Sequence, residues 1–263
     1  MNKAIKGLNK VALVTFVILT LPALAYGQSC KFSKDIEFTI DAASARNLSV
    51  EVGAGKLEIR GDANSREIKL TALACANTQE QLDDMDMLYE NRGSNIKIYS
   101  EIDRDRRLFS WWRSWDAHID VELVVPSSLL LEVEDGSGPV VISGVSALRL
   151  DDGSGSIRIS NISGDVYIND GSGEIDVNSV DGTVSVDDGS GDLRIVDSYA
   201  VHIIDDGSGN IVIEDISGDV YIEDDGSGGI DIERIGGDVN IEDAGSGSLN
   251  VSSVAGNFTA DNN

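Results

Sequence analysis

The stretch that decides the fold is DGSGSIRISNISGDVYIND, residues 152–170. A near copy, DGSGNIVIEDISGDVYIEDD, occupies residues 206–225. The Asp-Gly-Ser-Gly segment that opens each copy recurs at intervals of 17, 18, 18, 18, 19 and 19 residues, the last time as the variant AGSG. These segments begin at Asp135, Asp152, Asp170, Asp188, Asp206, Asp225 and Ala244. A fixed period of this length is typical of a repeat architecture.

Each repeat contains two short apolar runs separated by a second glycine-containing turn. Ile157 and Ile159 alternate with polar residues, and Val166 and Ile168 do the same after Gly164. This alternation predicts half-buried β-strands joined by turns. Two such strands cannot bury an apolar face alone, whereas stacked units that pair in parallel at about 4.8 Å can. The sequence therefore predicts an all-β, single-domain parallel β-solenoid with about 18 residues per repeat, and an antiparallel hairpin meander is the alternative.

The stacking predicts two columns of glycines at the corners of the solenoid. Both columns are expected to need a positive φ and the absence of a Cβ atom. The first column is Gly136, Gly153, Gly171, Gly189, Gly207 and Gly226, and the second is Gly138, Gly155, Gly173, Gly191, Gly209 and Gly228.

The composition excludes nucleic acid as a partner. The chain has 46 acidic and 20 basic residues, a formal charge of −26, and phosphate binding needs clustered cations. Residues 134–263 carry 27 acidic residues and four arginines, whereas residues 26–133 carry 19 acidic and 13 basic residues. The acidity therefore belongs to the regular repeats. A hydrophobic fraction of 41% supports a sizeable core and excludes wholesale disorder.

The aspartate before each glycine corner has two interpretations, and stacked carboxylates repel one another in both. The structural interpretation is an aspartate that accepts a hydrogen bond from the amide two residues on, with its second oxygen hydrated. The other is a Ca²⁺ column, because carboxylates and carbonyls are ligands that Ca²⁺ accepts. The known calcium-binding nonapeptide places its aspartate after the glycines, which favours the structural interpretation here. The candidate Ca²⁺ ligands are Asp152, Asp170, Asp188, Asp206 and Asp225.

Residues 1–25 are expected to be a signal peptide. Three lysines precede the short apolar run of residues 11–21, and small residues surround Ala25. We therefore expect a secreted protein of the periplasm or the cell surface of a bacterium, without a transmembrane segment after signal removal. A lipid anchor on Cys30 is the alternative.

The two cysteines, Cys30 and Cys75, are expected to form one disulfide in an oxidising compartment. The alternative is a pair of buried thiols. A zinc site is not expected, because two cysteines and two distant histidines lack the paired spacing of zinc ligands.

Residues 26–133 are predicted to form a less regular β region with the first solenoid turns, and residues 134–263 the regular solenoid. Leu48–Ile59 resembles a degenerate first turn, and Thr78–Asp83 is predicted to form one helical turn. The predicted strands are Ile68–Leu73, Met85–Tyr89, Ile96–Ile102 and Ile119–Val125.

Residues 103–118 interrupt the pattern with a concentrated basic and aromatic segment. It is a candidate interaction loop for an anionic head group, a glycan or a partner protein. The preferred alternative is that its tryptophans cover part of the solenoid while its arginines pair with acids. The loop residues are Arg104, Arg106, Arg107, Phe109, Trp111, Trp112, Arg113 and Trp115. At the other end of the chain, Phe258 occupies an inward position and is expected to close the last turn.

No catalytic site is predicted. His118 and His202 are expected at a strand start and on an outward strand position, without a serine or cysteine partner. The sequence VELVVP at residues 121–126 and the Gly-x-Ile-x-Ile and Gly-Asp-Val-x-Ile repeats up to Val254 resemble the bacterial exported putative-adhesin and head-GIN-like β-helix proteins, a domain of unknown function. That resemblance implies architecture and supplies no catalytic residues.

The resulting hypothesis is a non-catalytic, adhesin-like interaction or scaffold module of the cell envelope, without a cofactor. Its partner would be an envelope protein, a surface glycan, or a second copy bound through the solenoid ends. One alternative is a Ca²⁺-responsive binding module that uses the stacked acidic turns. The other is a polysaccharide-acting β-helix enzyme with paired carboxylates.

Overall fold

A computed structural model describes residues 30–102 and 117–261 and confirms the all-β parallel solenoid. Twenty strands and one short helix make up these residues. In chain order they are β1 (Phe32–Asp41), β2 (Asn47–Glu51), β3 (Leu57–Asp62), β4 (Glu67–Ala76), α1 (Gln79–Asp83), β5 (Met85–Asn91), β6 (Asn95–Ile102), β7 (His118–Pro126), β8 (Leu130–Asp135), β9 (Val140–Ser143), β10 (Ala147–Asp152), β11 (Ile157–Ile162), β12 (Val166–Asp170), β13 (Ile175–Asp188), β14 (Leu193–Asp206), β15 (Ile211–Ile216), β16 (Val220–Ile222), β17 (Ile230–Ile235), β18 (Val239–Ile241), β19 (Leu249–Val254) and β20 (Phe258–Ala260).

The strands form two parallel stacks, and each solenoid turn contributes one strand to each stack. The first stack is β6, β2, β8, β10, β12, residues 183–188 of β13, residues 200–206 of β14, β16, β18 and β20. The second stack is β7, β3, β9, β11, residues 175–180 of β13, residues 193–198 of β14, β15, β17 and β19. Parallel pairing between turns excludes the hairpin meander for the regular repeats.

The core lies between the two stacks and consists of the inward half of each strand. Ile159 and Ile168 have no exposed surface, and Val186 and Ile203 are also fully buried. Full burial of each aliphatic side chain contributes about 1.5–3 kcal/mol relative to an exposed one. Because the side chains alternate along a strand, a shift of one residue would expose this whole set.

Both glycine columns need a residue without a Cβ atom, and only the second column also has a positive φ. In the second column φ lies between +131° and +159°, as predicted. In the first column φ is not in the positive region, so that part of the prediction is wrong. A Cβ atom would lie only 2.4–2.6 Å from the carbonyl oxygen of the glycine one turn before in the first column, and only 1.4–2.0 Å from it in the second. The first column therefore needs glycine because the backbones of successive turns approach closely.

The turns at the N-terminal end do not follow chain order. The predicted degenerate turn, β2 with β3, is present, but it lies between the turn of β6 and β7 and the turn of β8 and β9. The predicted strands of this region and the helical turn are also confirmed. Thr78 caps α1 by accepting a hydrogen bond from the Gln81 amide at 3.2 Å.

Antiparallel strands cap the N-terminal end of the solenoid. β5 pairs with β6 in the first stack, while β4 pairs with β7 and β1 with β4 in the second. The Cys30–Cys75 disulfide, predicted from the sequence, ties the segment before β1 to β4, with the Cα atoms 5.3 Å apart. The disulfide occupies the Cys30 sulfur, to which a lipid anchor would have to be attached.

The C-terminal end is more open. β19 and β20 each pair with a strand on one side among the described residues. Phe258 is in register with the buried Val239, as its inward position predicted, yet it is 46% exposed and covers this end only in part. Within the described ranges, no helix has the length and apolar character needed to cross a membrane.

Candidate functional site

The aspartates of the glycine corners form a buried column, which we call the aspartate ladder. At the first four corners the aspartate follows an inward aliphatic residue by two positions, as Asp170 follows Ile168, so its side chain also points inward. Asp206 and Asp225 follow the buried Ile203 and Ile222 by three positions and are buried as well. The exposed fraction falls from 7% at Asp135 to 0% at Asp225. The ladder is Asp135, Asp152, Asp170, Asp188, Asp206 and Asp225. All five predicted Ca²⁺ ligands therefore lie in one column.

Two ladder aspartates make the hydrogen bond that the structural interpretation predicts. Asp170 accepts a hydrogen bond from the Ser172 amide at 3.2 Å, and Asp188 accepts one from the Ser190 amide at 3.1 Å. Their second oxygens are buried and accept no hydrogen bond from the described residues. The remaining ladder residues make no well-formed hydrogen bond through either oxygen, although corner amides such as those of Ser154 and Ser208 are close enough to lower the pKa of the neighbouring carboxyl; these residues are Asp135, Asp152, Asp206 and Asp225.

Burial raises the pKa of the ladder carboxyls, because the charged form loses its hydration. The pKa rises to about 7 for Asp135 and Asp206, and to about 6 for Asp170, Asp188 and Asp225. Neighbouring carboxylates raise it further at most of these positions. Near neutral pH the ladder therefore holds protons that ordinary aspartates have lost, and the protons reduce the repulsion along the column.

The spacing of the ladder limits how it could bind a metal ion. Successive turns lie about 4.8 Å apart, so a third ladder carboxylate is about 9.6 Å from the first. Ca²⁺ takes about six to eight oxygen ligands, and main-chain oxygens such as that of Asp152 already accept amide hydrogen bonds. An ion between two turns would need further oxygens from water. The Ca²⁺ column stays a prediction.

The structure brings His118 next to the disulfide, which the sequence analysis did not anticipate. Antiparallel pairing of β4 with β7 puts His118 opposite Cys75. The ring of His118 and the sulfurs of Cys30 and Cys75 form the one group of three metal-capable ligands within 4.8 Å of one another in the described parts of the chain. Metal ligation requires thiolates, and the disulfide occupies both sulfurs.

A regular column of side chains runs along the outside of the first stack. In order of turns it consists of Lys97, Ser49, Glu132, Arg149, Tyr167, Ser185, His202, Tyr221, Asn240 and Thr259. We call the part from Arg149 to Tyr221, with the adjacent polar residues Asp151, Asn169, Asp187, Asp205 and Glu223, the first-stack face.

Aromatic contacts organise the first-stack face at both ends. The Arg149 guanidinium lies over the Tyr167 ring, 4.3 Å from its centroid, and 3.8 Å from the carboxylate of Asp151. Two turns further on, His202 and Tyr221 stack with their centroids 5.1 Å apart. The outward position predicted for His202 is confirmed.

Carboxylates hold this second aromatic pair. Nε2 of His202 lies 2.7 Å from the Glu223 carboxylate, and the Tyr221 hydroxyl donates a hydrogen bond to Glu242. The Glu242 contact raises the pKa of Tyr221 to about 12. The phenol therefore stays neutral over the whole physiological range.

The outer side of the second stack has a different charge balance. Arg158 lies 3.6 Å from Asp176, and Arg194 donates a hydrogen bond to Glu214 at 2.9 Å. Arg234 donates to a carboxylate oxygen of its neighbour Asp215 at 2.6 Å. Three of the four arginines of residues 134–263 therefore compensate acids on the second stack. Arg149 is the one arginine of these repeats on the first-stack face.

A cavity of about 490 Å³ opens on the outside of β6, β2 and β8. Its charged lining consists of Lys97, Arg92, Glu90 and Glu132. Arg92 pairs with Glu90 at 2.7 Å, and Lys97 pairs with Glu51 outside the cavity. The cations of the cavity are thus already compensated.

The predicted interaction loop, Arg104 to Trp115, falls within residues 103–116, which lie outside the described residues.

Comparisons with known proteins found distant structural similarity alone. No family model matches the sequence, and no curated protein matches it. Two solved bacterial structures are similar in fold. One, a "putative cell adhesion protein" from Clostridium sporogenes ATCC 15579, shares 12% identity, covers 88% of this chain and 100% of its own, and has a TM-score of 0.37. The other, a "putative adhesin" from Bacteroides fragilis NCTC 9343, shares 11% identity, covers 88% and 98%, and has a TM-score of 0.43.

Proposed function

We propose that this protein is a non-catalytic, exported interaction module that binds an envelope protein through the first-stack face. The observation that carries the proposal is the composition of this face. Aromatic and histidine side chains stand in register beside a row of acidic residues that Asn169 interrupts once, and Arg149 is the one arginine of this face. Rigid aromatic side chains provide contact area at a small entropic cost, and uncompensated carboxylates attract a basic partner.

The surroundings of the two histidines support a binding role over a hydrolytic one. His202 contacts Glu223 and Tyr221, and His118 lies beside a disulfide rather than a free thiol. Neither histidine therefore activates a nucleophile in the described contacts. A polysaccharide-acting enzyme would rely on carboxylate pairs, which a chain with 46 acidic residues offers everywhere.

The proposal predicts that capture of the partner depends on the first-stack face. The change is Tyr167→Ser with Tyr221→Ser, and the control is Val141→Ser with Val212→Ser, outward residues on the second stack. We expect the first pair to reduce recovery of the partner from solubilised envelopes at least about fivefold, since two aromatic contacts are lost. The measurement is quantitative mass spectrometry of proteins captured on the immobilised chain.

Two results would contradict this proposal. Equal losses with both pairs of substitutions would indicate a general effect of surface polarity. Retained capture with the tyrosine pair, combined with loss on deletion of residues 103–116, would move the binding site to the predicted interaction loop.

The Ca²⁺-responsive module is a second candidate, favoured by the unpartnered carboxylate oxygens of the aspartate ladder. Thermal melts in EDTA and in Ca²⁺ separate the two functions. A binding module that does not use Ca²⁺ gives coincident melts, whereas Ca²⁺ bound to the folded state raises the melting temperature by many degrees. We expect coincident melts, because only two ladder carboxylates can flank one ion. A large shift that Asp188→Asn removes would establish the Ca²⁺ column instead.

A further inference from the structure

The first-stack face contains a gap at Ser185. Ser185 lies between Tyr167 in the turn before and His202 in the turn after. These two rings are therefore separated by two strand spacings, about 9.6 Å, with a small side chain between them. Arg149 covers one face of the Tyr167 ring and Tyr221 covers one face of the His202 ring. The opposite face of each ring is directed toward the Ser185 turn.

The neighbouring repeat shows which chemical group fits such a place. Arg149 stacks on Tyr167 at 4.3 Å and reaches Asp151 two positions along its own strand. Ser185 stands at the equivalent position, and Asp187 is two positions along its strand. Twice the observed stacking distance is about 8.6 Å, so one planar guanidinium fits between the two rings.

The charges around the gap select a cation. Asp187 pairs in register with Asn169 and Asp205 and makes no ion pair within the described residues. A guanidinium held between two rings would therefore meet an uncompensated carboxylate, as Arg149 does at Asp151. A planar guanidinium also stacks better than a compact ammonium group.

We propose that the Ser185 gap is a binding site for an arginine side chain of a basic partner protein, held between Tyr167 and His202 and paired with Asp187. This proposal rests on the proposed function, since it names the partner chemistry that the first-stack face recognises. It is specific to guanidinium and does not extend to glycans.

The first test fills the gap from within. In Ser185→Arg, the introduced guanidinium should stack on both rings and raise the melting temperature by about 2–4 °C. The matched control is Ser160→Arg, which adds the same charge on the second stack between Ser143 and Asn178, without aromatic neighbours. The rise should vanish when Ser185→Arg is combined with Tyr167→Ser. A rise equal to the control, or one that survives Tyr167→Ser, would overturn the proposal.

The second test uses the peptide acetyl-Gly-Arg-Gly-amide, with acetyl-Gly-Lys-Gly-amide for comparison. We expect the arginine peptide to shift the ring NMR signals of Tyr167 and His202, with an affinity at least about fivefold above that of the lysine peptide. Ser185→Arg should abolish these shifts because it fills the site. Equal effects of both peptides, or shifts that persist in Ser185→Arg, would show general attraction to the acidic surface and contradict the proposal.

These tests separate the arginine site from the broader function. Partner capture that depends on Tyr167 and Tyr221 but not on Ser185→Arg would leave the interaction module standing and refute the arginine site. If the arginine peptide binds at the gap but partner capture does not depend on Tyr167 and Tyr221, the arginine site would stand and the proposed interaction module would be refuted.

Discussion

Acidification from about pH 7.5 to about pH 5 in EDTA is expected to raise the melting temperature on the order of 10 °C. The cause is the aspartate ladder, in which burial raises the pKa from 3.8 to about 6 or 7. Between these values the folded state holds protons that the unfolded chain has released. The stability that the ladder contributes is therefore fully present below the unfolded pKa and is lost as the pH rises through the folded pKa.

The lowered pKa of Glu58 does not reverse this sign within the window. Lys56 lowers the pKa of Glu58 through a hydrogen bond, and the stability this pair contributes is lost only as the pH falls through that lowered value. That loss lies below the window. The overall charge of −26 also becomes less negative on acidification, which reduces the repulsion between carboxylates in the folded state.

A neutral isostere tests whether the ladder is responsible. Asp206→Asn replaces a fully buried carboxyl. The control, Asp205→Asn, removes one carboxyl from the exposed residue next to it. We expect Asp206→Asn to raise the melting temperature at pH 7.5 by several degrees and to weaken its pH dependence, with a much smaller effect of the control. Circular dichroism melts across this pH range measure both. Identical behaviour of the two variants would refute a protonated ladder.

Gly191→Ala is expected to cause the largest loss of stability of any single methyl addition considered. Gly191 has a φ of +149°, and a Cβ atom there would lie 1.5 Å from the carbonyl oxygen of Gly173 in the turn before. No flexible side chain can give way, because the contact is with backbone. We expect a loss on the order of 4 kcal/mol and a melting temperature lower by about 10 °C or more.

The other corner glycines provide a graded control series. A Cβ atom on Gly53, at the start of the first glycine column, meets nothing within 4 Å, so Gly53→Ala should be nearly neutral. Gly189→Ala should fall between the two, since its contact distance is 2.6 Å and its φ is not positive. Equal losses at all three positions would contradict stacked backbone corners as the source of the requirement. Thermal denaturation of the three variants measures the series.

The period of the repeat predicted the parallel pairing correctly, because identical corners and alternating aliphatic residues are local signals. The inward direction of the ladder aspartates up to Asp188 could also have been predicted, whereas an extra residue in the strand breaks the alternation before Asp206 and Asp225. Asp170 has the same strand parity as Ile168 and Val166, so alternation places it inside. The polar character of aspartate suggested a hydrated turn, but Asp170 is buried, as its position in the strand alternation predicts.

Long-range pairing accounts for what the sequence analysis missed. Nothing local to His118 shows that β7 lies beside β4 and brings this ring to Cys75. Likewise, nothing in β2 and β3 shows that a later turn of the chain packs beneath them. The separation of Tyr167 from His202 by one serine became a possible site only once the register of β12, β13 and β14 was known.

By itself the sequence determined the strand repeat, the glycine corners and the acidic surface, because these depend on periodicity, backbone sterics and charge within about 18 residues. Only the tertiary structure decided the order of the N-terminal turns, the place of His118 and the gap at Ser185. These depend on which distant strands become neighbours, and that choice is made by the burial of both stacks together rather than by any one segment.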